Sequence, residues 1–247
     1  MNLWIYGINP VQEALRSERC RIKEICVAKG RSDKGLEGII GKAKAEEIPI
    51  KKVERKQLDS LTRNAPHQGV VCLIDQFNYA NLDEVLQGQE SAPLLLILDG
   101  IEDPRNLGAL IRTANACGVW GVIIPKDRAA GLTPAVVKSS AGAVFHIPIV
   151  RVTNVAATLK EIKAHGIWVT GAVANAQKDL YHHDLTAPLA VVIGGEGRGI
   201  RPLVRRECDL LIAIPMKGVV NSLNASAAGS IILYEVIRQR GKAADPL

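Results

Sequence analysis

Three short stretches of this chain collect residue types that can do chemistry. In "DPRNLGALIRTANACG", residues 103–118, Arg105 and Asn106 stand at the entrance of a helical pattern. Free backbone N–H groups and a cation at such an entrance favour a phosphate. Asn106 reads as the N-cap and Gly118 as the stop. Leu107, Leu110, Ile111 and Ala114 share one helical face, which leaves Arg112 on the far side, where by itself it is a solvated arginine. In "IGGEGRGI", residues 193–200, Gly195, Gly197 and Gly199 alternate with Glu196 and Arg198 after an apolar run, so the backbone can approach a ligand closely. In "IPMKGVVNSLNASAAGSIILYE", residues 214–235, a polar crossing leads into a helix capped by Ser222 or Asn221. Its first turns are nearly all Ala, Ser and Gly, which implies crowding by a ligand, a partner helix or the chain itself.

These stretches need elements to hold them. From residue 94 onward, strands are expected at 94–98, 119–124, 144–150, 167–173, 189–193 and 208–214. Helices are expected at 106–117, near 132–138, at 154–164 and at 223–239. The strands are continuous Val/Ile/Leu runs, and this alternation predicts a parallel sheet covered by helices on both faces. Ligands of open α/β sheets bind beyond the carboxyl ends of the strands, where the three stretches fall. Residues 1–75 read as a small α/β/α module: "EALRSE", "KGLEGIIGKAKAEE" and "RKQLDSL" are helical, while "IKEICVA", "IPIKKV" and "GVVCLID" are strands. Residues 76–93 have no base, three acids and a closing Pro, and read as an interdomain linker with one helical turn near Asp83–Leu86.

Composition narrows the function. With 47% hydrophobic residues in 247, the chain can bury a substantial core. It has neither an apolar run of membrane length nor a signal-peptide start, so a cytosolic protein is expected. Five scattered cysteines predict buried thiols, and five histidines without ligand spacing predict no metal site. A net charge of +6, carried by basic blocks on either side of the acidic gap, favours a polyanionic partner. A Rossmann dinucleotide site fits poorly, because the glycine spacing is G-x-G-x-G, Pro202 follows at once and the motif lies late in the chain.

Taken together, the three stretches resemble the signature motifs of the SpoU/TrmH branch of the SPOUT class of RNA methyltransferases, and "KSSAGAVFHIPIV", residues 138–150, resembles that branch too. "YGINPVQEAL" and "HQGVV" resemble the L30e-like substrate-binding domain that precedes the catalytic domain in its rRNA guanosine-specific members. The resemblance implies an L30e-like RNA-binding domain at 1–75, the linker at 76–93, and at 94–247 an α/β SPOUT domain with a parallel sheet and a deep C-terminal trefoil knot. Chains as a rule avoid knots, so the knot rests on the resemblance alone.

It further implies methylation of a guanosine ribose 2'-hydroxyl in 23S rRNA by a homodimer using S-adenosylmethionine, with tRNA ribose methylation and non-catalytic RNA binding as alternatives. By motif position, Thr170, Gly171, Gly195, Glu196, Gly197, Ile214, Met216 and Leu223 are expected to line the cofactor. Asn106, Arg112, Glu196, Ser222 and Asn224 are expected to serve the reaction. Arg105, Arg112, Lys138, Arg198, Arg16 and Arg31 are expected to face RNA.

Overall fold

The computed structural model describes residues 3–31, 34–75, 77–87 and 92–244. Gln76 and residues 88–91 of the expected linker lie outside the described residues. The chain forms two compact units, Met1–Asn78 with Leu132–His146, and Tyr79–Gly131 with Ile147–Leu247.

The first unit has a four-stranded sheet of β1 (Leu3–Tyr6), β2 (Ile22–Ala28), β3 (Ile50–Val53) and β4 (Val70–Ile74), in the order β1-β4-β2-β3. Strand β4 runs antiparallel to both β1 and β2, and β3 pairs parallel to β2. Its helices are α1 (Ile8–Arg16), α2 (Lys34–Ala45) and α3 (Arg55–Thr62). Cys26, Ala28, Val53 and Val71 bury one sheet face against Leu58 of α3. Ile25 and Val27 alternate to the other face, and α1 packs on β1, β4 and α2.

Residues 132–146 depart from expectation, for they belong with the N-terminal module and not with the C-terminal block. Helix α6 (Pro134–Ser139) packs on β1, Ser17 Oγ donates to the Phe145 carbonyl at 2.7 Å, and the Phe145 ring stacks on Phe77 at 5.5 Å. The strand expected at 144–150 is therefore divided. Ala143–Phe145 is a 3-10 turn in this unit, and β7 begins only at Ile149, past Pro148. Strand β1 went unread in the sequence because an edge strand of four residues offers too short a pattern.

The second unit is a six-stranded, all-parallel sheet. It is ordered β10 (Leu210–Ile212), β8 (Trp168–Ala172), β9 (Leu189–Gly194), β5 (Leu94–Asp99), β6 (Gly121–Pro125), β7 (Ile149–Val152). Leu95, Ile97, Val169, Ala190 and Val192 bury one face against α7 (Val155–Ala164) and Val204 of α8 (Pro202–Arg206). Helices α5 (Pro104–Ala116) and α9 (Ala225–Ala244) pack on each other, and α9 also packs on β9. The stretch expected to be a linker is partly structural. Ala80 N donates to the Ile149 carbonyl at 2.9 Å beside the edge strand, and Val85 of α4 (Leu82–Leu86) joins the core. From β5 the chain winds outward through β6 and β7, then returns to place β8 and β9 on the other side. The switch in strand order lies between β5 and β9, and an open α/β sheet makes a ligand crevice there.

The five cysteines are free thiols; Cys26, Cys72 and Cys117 are buried. Burial pushes all of them up, Cys20 and Cys208 to about 12. Only the thiolate reacts, so at pH 8 iodoacetamide should alkylate Cys20 and Cys208 more than about a thousandfold slower than a free thiol. Mass spectrometry of the native protein against time checks this; labelling within minutes would contradict it.

Candidate active site

The three stretches meet at the carboxyl ends of β5 and β9. Asp103, not Asn106, caps α5: its Oδ1 accepts from Arg105 N at 2.8 Å, and Pro104 takes the first helical position. The Arg105 guanidinium holds the same carboxylate, with Nη2 2.9 Å from Oδ2, and these hydrogen bonds keep Asp103 below the usual carboxylate range. Arg105 is thus paired, although 86% of its side chain is exposed.

Relieved of capping, Asn106 is buried and turned toward the other two stretches. Its Nδ2 donates to Glu196 Oε1, and its Oδ1 accepts from Asn224 Nδ2 at 3.0 Å. Asn224 Nδ2 also reaches Glu196 Oε1 at 3.2 Å, which closes a triangle of Asn106, Glu196 and Asn224. Asn224 is at the same time the cap of α9, where Ser222 or Asn221 was expected. Its Oδ1 accepts from Ser226 N at 2.9 Å and Ala227 N at 3.3 Å. One side chain therefore starts the last helix and fixes the carboxylate.

Glu196 sits on a turn clamped to β5. Gly195 N donates to the Asp99 carbonyl at 3.0 Å, and a side chain at Gly195 would run into the Gly100 carbonyl. Positive φ is needed at Gly197 (+80°) and Gly199 (+62°). Below the turn, the Asp99 carboxylate is 1% exposed and accepts from Arg201 N at 2.8 Å and Arg201 Nε at 2.7 Å. Sequence reasoning passed over Asp99 and Arg201. The available signal was an acid closing the apolar run "LLLILD", since a carboxylate at the end of a buried strand requires a partner.

Beside the triangle opens a cavity of about 700 Å³, lined by Glu196, Gly197, Ile214, Met216, Ser222 and Leu223 among others. Of the expected cofactor residues, Gly195, Glu196, Gly197, Ile214, Met216 and Leu223 line it. Thr170 and Gly171 do not. They are enclosed in β8 between β9 and β10, and Cys208 and Ile200 press on Gly171. Ala172, Val173 and Ala174, the next residues along, form the wall instead.

The small residues that open α9 have two causes. Ala225 and Ala228 face this cavity, whereas a side chain at Gly229 would strike Leu110 of α5. Thr113 and Ser230 hydroxyls meet at 3.0 Å across the same helix pair. Arg112 lies outside the triangle, on the exposed face of α5, and has no hydrogen-bond partner among the described residues. Arg198 is exposed on the glycine turn. Arg16 and Lys138 belong to the first unit, Arg16 paired with Glu13 at 2.7 Å and Lys138 donating to Gln68 at 2.6 Å. Burial lowers the Lys138 pKa. Arg31 lies against Gly69.

The residues 93–234 that contain the triangle and the cavity match the model of the SpoU rRNA methylase family. The chain belongs to this family. Residues 4–80 match a model described as RNA 2'-O ribose methyltransferase substrate binding. Among SpoU relatives, a Pseudomonas putida protein named 23S rRNA (guanosine-2'-O-)-methyltransferase RlmB is 43% identical, with 96% of both chains covered. A Bacillus subtilis protein named putative TrmH family tRNA/rRNA methyltransferase YacO is 45% identical, also over 96% of both. The crystal structure of the SpoU methyltransferase AviRb from Streptomyces viridochromogenes in complex with AdoMet superposes with a TM-score of 0.82 at 26% identity, covering 98% of this chain and 91% of that one.

The triangle makes Glu196 the residue on which the site's geometry turns. Glu196→Ala deprives Asn106 and Asn224 of their shared acceptor, and methyl transfer is expected to fall at least about 100-fold, as for a lost acid–base or orienting group. Because Glu196 is exposed and Asn106 borders a cavity from which water can replace the lost acceptor, the melting temperature should fall only slightly. Single-turnover kinetics with a melting curve check both, and undiminished turnover would reduce the triangle to packing.

Proposed function

We propose that this chain methylates a guanosine ribose 2'-hydroxyl in 23S rRNA with S-adenosylmethionine, as a step of ribosome maturation. The observation that carries the reading is the Asn106–Glu196–Asn224 triangle at the wall of the cavity, in a chain of the SpoU rRNA methylase family. The cavity fits the cofactor in size and lining: Ile214, Met216 and Leu223 offer apolar surface for a purine, and the turn at Gly197 offers bare backbone. When bound there, S-adenosylmethionine supplies an electrophilic methyl group on a sulfonium.

The chain's own residues must place a 2'-oxygen and take its proton. Arg112 is not the base, since a guanidinium stays protonated. It holds the adjacent phosphate or stabilises the oxygen as negative charge develops. Glu196 is the acceptor, either directly or through water, and the two asparagines fix its orientation. Ser222, on the cavity wall, is a polar contact for cofactor or ribose. Arg105, Arg112, Arg198, Lys138, Arg16 and Arg31 are proposed to face RNA. The reaction is assigned no metal.

The same reading includes the knot, the L30e-like first unit, a homodimer and a cytosolic location. The dimer is supported by Ile231, Tyr234 and Ile237, which leave an apolar row exposed along α9. Among the described residues no helix is long and apolar enough to cross a membrane.

Calorimetry tests the cofactor part of the reading. S-adenosylmethionine should bind saturably and NAD should not; binding of NAD alone would overturn the assignment.

A further inference from the structure

Glu196 also borders a second cavity, of about 460 Å³, on the β5 side of the glycine turn. Its wall includes Asp99, Glu102, Asp103, Asn106, Arg128 and Arg201. The charged groups differ in what they already hold. Asp99 is paired with Arg201, Asp103 with Arg105, and Glu196 with the two asparagines. Glu102 and Arg128, and Arg198 on the same wall, are exposed and have no hydrogen-bond or ion-pair partner among the described residues. Ala130 N donates to the Ile101 carbonyl at 2.8 Å, which ties the turn carrying Arg128 to the loop carrying Glu102. Arg128 itself sits at a φ of +56°, a conformation that non-glycine residues rarely hold outside constrained sites.

One unpaired carboxylate and two unpaired guanidinium groups on one small cavity suit a ligand with both donors and an anion. An ionised carboxylate only accepts, so it matches a base edge that presents two donors side by side. Guanine does this with N1–H and its 2-amino group, whereas adenine puts an acceptor at N1. A base turned out of its stack is read along this edge. We propose that the second cavity seats the target nucleotide, with Glu102 accepting the N1 and N2 hydrogens of guanine and Arg128 pairing a flanking phosphate. Glu102 is then a specificity-determining residue, while Arg128 binds without regard to the base. The inference rests on the ribose-methylation reading.

The test uses the full-length protein and rRNA fragments that carry guanosine, inosine or adenosine at the position the wild-type protein methylates. Wild-type protein should favour guanosine over adenosine by about 10- to 100-fold in kcat/KM, with inosine between, as expected for a bidentate contact. Glu102→Ala should bring the three within about threefold of one another while the affinity for S-adenosylmethionine is unchanged. Glu102→Gln, which keeps the side chain's size, should improve adenosine relative to guanosine, because its amide can donate to adenine N1. Arg128→Ala should weaken all three alike. Wild-type guanosine preference in both Glu102 variants would overturn the inference and leave the functional reading standing. Failure of the wild-type protein to methylate any ribose would sink the reading and the inference with it.

Discussion

Arg112→Ala should leave the fold and cofactor affinity intact and lower methyl transfer by about 100- to 1000-fold, the cost of removing one charged stabiliser of a developing oxyanion. The stability half follows from structure, because Arg112 is exposed and no described residue depends on it. The activity half follows from its place six residues along α5 from Asn106, on a face left free. Arg112→Lys tests the role more finely. It keeps the charge and loses the planar fork, so intermediate activity supports electrostatic stabilisation, while activity as low as alanine's supports a two-pronged phosphate contact. A steady-state assay with a melting curve checks all of this, and normal turnover in Arg112→Ala would return the residue to a solvated surface.

The largest effect on stability is expected at Arg201. Arg201→Ala leaves the Asp99 carboxylate, 1% exposed, without its side-chain partner. Breaking a buried pair in this way costs about 3 to 5 kcal/mol. The arginine is itself 42% exposed, so the low end applies, about 3 kcal/mol, or a melting temperature lower by about 6 to 12 °C. The double variant Asp99→Asn, Arg201→Met removes the stranded charge and should recover more than half of the loss. Calorimetry of the single and double variants checks this. An unchanged melting temperature in Arg201→Ala would show that water reaches Asp99. Activity should fall in Arg201→Ala as well, since the same clamp holds the turn that carries Glu196.

The parallel sheet was legible because its strands are buried on both faces and read as unbroken apolar runs. The site was legible in part because its residues lie in three motifs, each at a strand end. Pairings across the chain were not. Asn106 has the residue type of a cap and the right neighbours, but Asp103 is three residues earlier and precedes a proline that fits the first helical position. Asn224 takes the cap expected of Ser222 or Asn221 because it also answers Glu196 and Asn106, a three-body arrangement that local propensity does not encode. Thr170 and Gly171 are expected at the cofactor by motif position alone, yet both lie inside β8, and the cavity wall begins only at Ala172. The grouping of 132–146 with the first unit was hidden as well, because its partners Glu13, Ser17, Gln68 and Phe77 are far away in sequence. Deleting residues 1–90 to isolate a catalytic domain would strip that segment of its packing, so RNA binding is better probed in the full chain.

The central claim is ribose methylation of rRNA. The most direct measurement is transfer of label from S-adenosylmethionine to unmethylated 23S rRNA and, in parallel, to bulk tRNA, followed by nucleoside analysis. The account predicts label in rRNA alone, recovered as 2'-O-methylguanosine. Label recovered only from tRNA would contradict the substrate, and no ribose label in either RNA would contradict the enzyme.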